Sequence, residues 1–501
     1  MNGRGRNAGR NIFAVRAARG ALLLGLVFGF LSSACETRQS LTRKRIDRVE
    51  KGLLRAVYFK GQTPEKMRLQ ERMRFYRVPG ISLAVFDKHG VEWGKSYGIK
   101  DVRTLEPVTA DTLFQGGALS QSVAAATVLR LVDSGHIGLD ENVNNQLREW
   151  KIPLTAFTAE KGVTLRGLMT HTAGFPAQVF AGYPENQPVP TLLQVLEGAK
   201  PASNRPIVLD FEPGAKMRAT DADFVVLQKV IEDSTGKPFA AQIKEAVLEP
   251  LGMKHTTFEI TLPGALRTQA ASGHVRGGQA VDCGWNAYPE LAAKGIWTTP
   301  SDLALFVGEI LGTAMSGSGK ILTPASARAM LTPQVGDQGL GFLVDGAGAD
   351  MRFHLQGRTR GFASSLVVYP DRGLGAILMT NSDNGFLLID EILRAISEVY
   401  LWPDFKPEEK PLYRLDPAIC AEYVGRYEVT SDYALDVGHE DYYLIIRPTG
   451  QAPTKFYVET QSIFFSVDPF IRIQFKRNDA GRVDGLVLWQ QDFEQTARKT
   501  N

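Results

Sequence analysis

Two serines, Ser120 and Ser122, open the stretch "DTLFQGGALSQSVAAATVLRLVDSG" (residues 111–135), whose run from Val123 to Val132 is apolar nearly all round. Such a run makes a buried helix, and a hydroxyl at the start of one is a place for a nucleophile that attacks a carbonyl. The hydroxyl needs a base beside it. Neither serine has one. Their other use is to hydrogen-bond the first helical turn. Thr220 is a third hydroxyl with no base visible beside it. Among the seven histidines, His171 in "LMTHTAGFP" reads as a packed, hydrogen-bonding residue. His354 lies in the strand-like "FHLQGRTRGF", while His89, His136, His255, His274 and His439 are dispersed, without metal-ligand spacing. The sequence calls for no metal and no cofactor.

These residues sit in a chain of 501 residues, 44% hydrophobic and 22% charged, enough for a large core and more than one domain. A net charge of +3 gives no argument for nucleic acid as a partner. In "GISLAVFDKHGVEWGKSYG", Ile81, Leu83 and Val85 alternate, "DKHG" turns, and Val91 and Trp93 resume the alternation, which predicts a β-hairpin. The buried helix ends at Gly135, and mixed helices and loops follow. Strands return in "FASSLVVYPDRGLGAILMTNSDNG". A helix carrying Leu388, Ile392, Ala395 and Val399 on one face then runs up to Pro403. Strands at both ends around a helical middle predict one sheet assembled from distant segments, an α+β fold. After a Pro-containing linker, "WPDFKPEEKP" (402–411), short strands with turns between them predict a small antiparallel barrel or sandwich over 412–501.

The segments "LFQGGALSQSVAAATVLRLVDSGHIGLDENV", "VTLRGLMTHTAGFP", "FEPGAKMRATDADFVVLQKVIEDSTGKPF", "LEPLGMKHTTFE", "AAKGIWTTPSDLALF" and "YPDRGLGAILMTNSDNG" resemble the serine β-lactamase and penicillin-binding-protein-like hydrolases, above all their class C and esterase-like branch. The resemblance covers residues 45–405. It implies a β-lactamase/transpeptidase-like fold, an antiparallel sheet with helices on both sides plus a helical subdomain, followed over 412–501 by a lipocalin-like β-domain. It also implies a Ser-x-x-Lys pair at the start of the buried helix, a Tyr-x-Asn or Tyr-Ser motif from the helical half, and a Lys-Thr-Gly or His-x-Gly strand beside an oxyanion hole.

This sequence departs from that pattern at each motif. Aligning the flanks puts Ala118 at the serine position and Gln121 at the lysine position. Ala219, followed by Thr220, takes the tyrosine position, and Leu355, followed by Gln356 and Gly357, takes the histidine position. A one-residue slip of that strand would put His354 there instead. Arg358 and Arg360 flank the motif as two cations at the cleft rim, or as solvated loop residues. The expected reading is a catalytically inactive cell-envelope protein with binding or regulatory work, whose cleft residues are Ala118, Gln121, Thr220, His354, Gln356, Gly357 and Arg358. Its expected ligand is a peptidoglycan peptide or a small carboxylate. The alternatives are residual esterase, β-lactamase or D-amino-peptidase-like activity through a non-standard residue, and a protein partner docked on the C-terminal domain.

Five arginines precede the apolar run "ALLLGLVFGFL" (21–31), and "LSSAC" follows, ending at Cys35. Residues 1–35 are expected to be an export signal, with 36–60 a tether and first helix. Cys35 is either a lipid-bearing residue of a membrane-anchored lipoprotein, or incidental to a cleaved signal or an uncleaved anchor; each option places the protein in the cell envelope. Cys283 and Cys420 are too few for a disulfide framework.

Overall fold

The computed structural model describes residues 39–88, 90–490 and 493–500. The expected export signal over 1–35, with Cys35, lies outside the described residues. Helix α1 spans 39–50 and buries Val49. Its Arg45 reaches Asp87 and Glu92, so this part of the expected tether is packed onto the domain. Helix α2 (Leu69–Tyr76) then leads into strands β1 (Gly80–Asp87) and β2 (Gly90–Gly98). Helix α3 is Leu119–Asp133, α4 is Asp221–Thr235, α5 is the single turn Leu291–Lys294, and α6 is Pro300–Ser316. Strands β3 (Leu343–Asp345), β4 (Arg352–Thr359), β5 (Phe362–Tyr369) and β6 (Leu374–Thr380) follow, and α7 (Gly385–Tyr400) packs across them.

The sheet has the order β2-β1-β6-β5-β4-β3, with every neighbour antiparallel, so the N-terminal hairpin pairs with strands nearly 300 residues later. Helices cover both faces. One core joins Leu119, Val123, Phe306, Leu355 and Leu366; the other joins Met73, Val85, Val367, Leu388 and Ile392. Strand β5 is buried along its whole length, and its sequence "FASSLVVY" carries no charge on either face. Helix α3 has Ala124, Ala125 and Ala126 fully buried, and Gly135 turns the chain away at φ 70°.

The C-terminal unit is a closed barrel of eight antiparallel strands, β7 to β14: Gly425–Thr430, Tyr433–Glu440, Tyr443–Pro448, Thr454–Val458, Ile463–Val467, Phe470–Arg477, Val483–Gln490 and Phe493–Thr500. The last strand closes on the first through Arg426 opposite Thr500. Tyr423, Tyr427, Phe464 and Phe475 fill its core, with Tyr423 stacked on Phe475 at 4.3 Å. Cys420 is buried there and Cys283 is exposed, both as free thiols.

The expected linker is not a free tether. Trp402 is buried against Tyr369, and Glu408–Lys410 pairs in parallel with Val57–Phe59. Composition shows that this stretch is irregular, but its partner is a short strand far away in sequence. A buried ion network also holds the barrel. From α2, Arg72 donates to Glu391 on α7 at 2.7 and 2.8 Å and to Asp468, between β11 and β12, at 2.5 Å. Tyr76 donates to Glu391 at 2.8 Å, and Arg55 reaches Asp468 at 2.9 Å. Burial pushes the Glu391 carboxyl up, and Arg72 opposes that shift. Removing one member of a buried pair leaves the other charge uncompensated. Glu391→Ala is therefore expected to cost about 3 kcal/mol or more in chemical denaturation, whereas a loss below about 1 kcal/mol would mean the network contributes no more than a surface pair.

Candidate functional site

The residues singled out from the sequence meet where the turn before α3 lies against the outer edge of β4. Strand β3 pairs only with Arg352–His354, so from Leu355 onward that edge of β4 is left for the turn preceding α3. The approach is very close. A Cβ on Gly357 would stand 1.8 Å from the Gly116 carbonyl oxygen, and one on Gly117, at φ +55°, would stand 2.5 Å from the Arg358 nitrogen. Ser364 on β5 donates to the same Gly116 oxygen at 2.9 Å. On the other side, the Gly116 amide donates to the Ile296 carbonyl at 2.9 Å, and the Ile296 amide donates to Ser120 Oγ at 3.0 Å. Glycines in this turn and strand let two backbones touch.

Three hydroxyls considered from the sequence are committed to backbone groups. Ser120 donates to Gly117 O at 2.6 Å and Ser122 to Leu119 O at 2.9 Å. Thr220 caps α4: it accepts from the amides of Ala222 and Gln178, and its hydroxyl lies 3.3 Å from Gln178 O. Ala118 is the residue before α3, and Gln121 lies buried in its first turn. Ala219 is exposed just ahead of the Thr220 cap.

Strand register decides what β4 presents. Leu355 pairs with Leu366 and joins the core beneath α3, while His354 pairs with Val367, which faces α7. The slip that would have brought His354 to the cleft does not occur; its ring lies 3.3 Å from Asp345. Gln356 and Arg358 share the His354 face by the two-residue period. The Arg358 guanidinium sits 4.9 Å over the Phe386 ring on α7. His354, Gln356 and the Arg358 side chain therefore point away from α3, contrary to the expectation that they line the cleft. Only the Gly357 and Arg358 backbone reaches it. Arg360 meets the site through its amide, which donates to Tyr288 Oη at 3.1 Å.

The structure supplies a cation the sequence reasoning passed over. Lys294, at the end of α5, places Nζ 3.2 Å from Asp221 Oδ2 on α4 and 3.5 Å from the Arg358 carbonyl on β4. Its side chain is 10% exposed, so the ammonium lies between the two walls, mostly shielded from water. Four residues back, Glu290 is fully buried with neither carboxylate oxygen hydrogen-bonded in the described structure. Burial raises its carboxyl to about 8, with Lys294 pulling the other way. A lysine inside the apolar run "LAAKGIW" was the available signal. His171, at φ +57°, binds Asp223 at 2.7 Å; burial lifts that carboxyl to about 6 although the imidazole opposes the shift. Among the described residues, no group of three His, Cys, Asp or Glu is placed to hold a metal ion.

With this geometry in hand, comparison with known proteins is specific. The family model described as Beta-lactamase matches residues 67–397. The unguisins hydrolase ungD of Aspergillus violaceofuscus is 23% identical over 62% of this chain, which spans 60% of that relative's length. Penicillin-binding protein 4 of Amycolatopsis lactamdurans is 24% identical over 70% of this chain and 94% of its own. The octameric penicillin-binding protein homologue from Pyrococcus abyssi shares the fold, with a TM-score of 0.58 over 85% of this chain and 98% of its own at 19% identity.

The Glu290 carboxyl makes stability depend on pH with a definite sign. Its folded value near 8 lies above the ordinary 4.5, so between those values the folded state binds more protons than the unfolded one. Stability must fall as pH rises through that window. Glu290→Gln is expected to flatten the fall and to exceed the wild type at pH ~9 by roughly 2 kcal/mol. Parallel melting curves of the two proteins from mildly acid to mildly alkaline pH would reject this assignment.

Proposed function

Because the chain belongs to the Beta-lactamase family, we propose that it keeps the family's cleft for recognition and has given up covalent catalysis. The observation that carries this reading is Lys294, whose ammonium bridges Asp221 and the Arg358 carbonyl beside a helix start bearing Ala118. A methyl group cannot attack a carbonyl, and Gln121 cannot act as the base that a lysine would be. Turnover through Ser120, Ser122 or Thr220 would first have to break bonds that hold the turn, the helix and the cap together.

Recognition needs less. A ligand carbonyl or carboxylate entering beside the start of α3 would meet the Lys294 ammonium. Lysine has three donors, and the Asp221 and Arg358 contacts use two. The ligand class is an acyl peptide ending in a carboxylate, in keeping with relatives named as penicillin-binding proteins and D-alanyl-D-alanine carboxypeptidases. The place of action is the cell envelope, reached by the expected N-terminal signal, with or without a lipid on Cys35.

Incubation of the full chain with a fluorescent penicillin and with a fluorophosphonate probe is expected to leave it unlabelled. In calorimetry, an N-acyl-D-alanyl-D-alanine peptide is expected to bind reversibly, and Lys294→Met to weaken it by about tenfold, the scale of one charge-assisted contact. A covalent adduct mapped to any cleft side chain would refute the loss of catalysis. Unaltered affinity in Lys294→Met would refute the role of the lysine.

A further inference from the structure

A second site stands apart from the cleft, at the other face of the sheet near the start of the domain. An open groove of about 760 Å³ runs between α2, the end of β2 and the Gly277–Gly278 turn. Its floor is apolar, made by Met73, Val78, Pro79 and Ile99, and the exposed Val102 stands at its edge. Its rim is cationic. Gln70, Arg74 and Arg77 follow one another on a single face of α2 and its cap, at the i, i+4, i+7 spacing.

The cationic rim is held in place by backbone. Arg77 ends α2 in the left-handed region at φ 54°, and its Nη1 donates to the Gly277 carbonyl at 3.2 Å. Gly278, at φ +89°, lies so that a Cβ there would meet the Arg77 side chain at 3.4 Å. One donor of that guanidinium is thus spent on a neutral carbonyl. Among the described residues, neither Arg74 nor Arg77 is paired with a carboxylate, unlike Arg55, Arg72 and Arg103. On the groove's far wall, the Tyr97 hydroxyl is committed to Glu50 at 2.7 Å.

We propose that this groove binds a single-chain anionic amphiphile, a fatty-acid-like molecule whose alkyl tail lies along Met73, Val78, Ile99 and Val102 while its carboxylate meets Arg74 and Arg77. Charge and apolar surface stand side by side in the arrangement such a molecule requires, and the volume is within the range of small-molecule sites. Guanidinium groups bind carboxylates through paired donors, and the tail gains by leaving water. The site is separate from the cleft and does not depend on what the cleft binds.

Calorimetry on the full chain tests it with four probes: monomeric laurate, dodecanol, inorganic phosphate, and phosphatidylglycerol-containing vesicles. Laurate is expected to bind saturably at one site. Arg74→Ala and Arg77→Gly, the latter suited to the positive φ, should each weaken laurate by about tenfold and leave dodecanol unchanged. Val102→Trp, at an exposed position on the groove's edge, should block both. Equal binding of phosphate and laurate would make the rim an anion site without a tail groove, and binding to vesicles alone would make it a membrane-facing patch. Either result overturns the proposal, as would laurate affinity indifferent to both arginines.

Discussion

The cleft is organised by a contact between two stretches of main chain. Gly116 and Gly117 lie on the edge of β4 at Gly357 and Arg358, closer than any side chain would allow. Ser364 bonds the Gly116 carbonyl from β5, and the Gly116 amide is bonded in turn to Ile296. Sheet, helix start and α5 are fastened at one point, through glycines and backbone atoms. None of these bonds involves the side chain of residue 118 or 121. The bonds that hold the helix start against the sheet are therefore independent of which side chains stand at 118 and 121.

Charge follows a related constraint. A buried ammonium is costly unless it is paired, and Lys294 has Asp221 for that purpose. The two residues depend on each other, because truncating either leaves the other charge shielded from water without a partner. Among the described residues neither Glu290 oxygen accepts a hydrogen bond, and burial raises that carboxyl to about 8 against the pull of Lys294.

What the sequence made legible was set by period and length. The β1–β2 hairpin, α7 and the short C-terminal strands have periodic signals and α3 has a long unbroken apolar run, and their order was enough to infer one sheet built from both ends of the domain. The same period left one question open on β4. Alternation divides Phe353, Leu355 and Gly357 from His354, Gln356 and Arg358, yet it does not say which set meets α3. The answer lies in pairing with β5, where Leu366 and Val367 belong to different cores. Residues 402–411 defeated composition for a similar reason, since Glu408–Lys410 finds its partner at Val57–Phe59. Lys294 was hidden by its setting. In a four-residue helix of apolar neighbours it has no pattern of its own, and its meaning comes from Asp221, a residue on another element.

Helix α2 shows how one short element can serve two surfaces at once. Arg72 and Tyr76 point into the network with Glu391 and Asp468, which ties the helix to α7 and to the barrel. Gln70, Arg74 and Arg77 line the groove. Eight residues of helix have little stability of their own, so the orientation of the groove-lining face must be supplied by tertiary contacts on the buried one. The buried ion network does this. By fixing Arg72 from two elements, it limits rotation of α2 about its axis, and with that rotation limited the two rim guanidiniums keep their positions over the apolar floor. The barrel thus contributes to the shape of a groove it does not line, through a carboxylate in one of its turns.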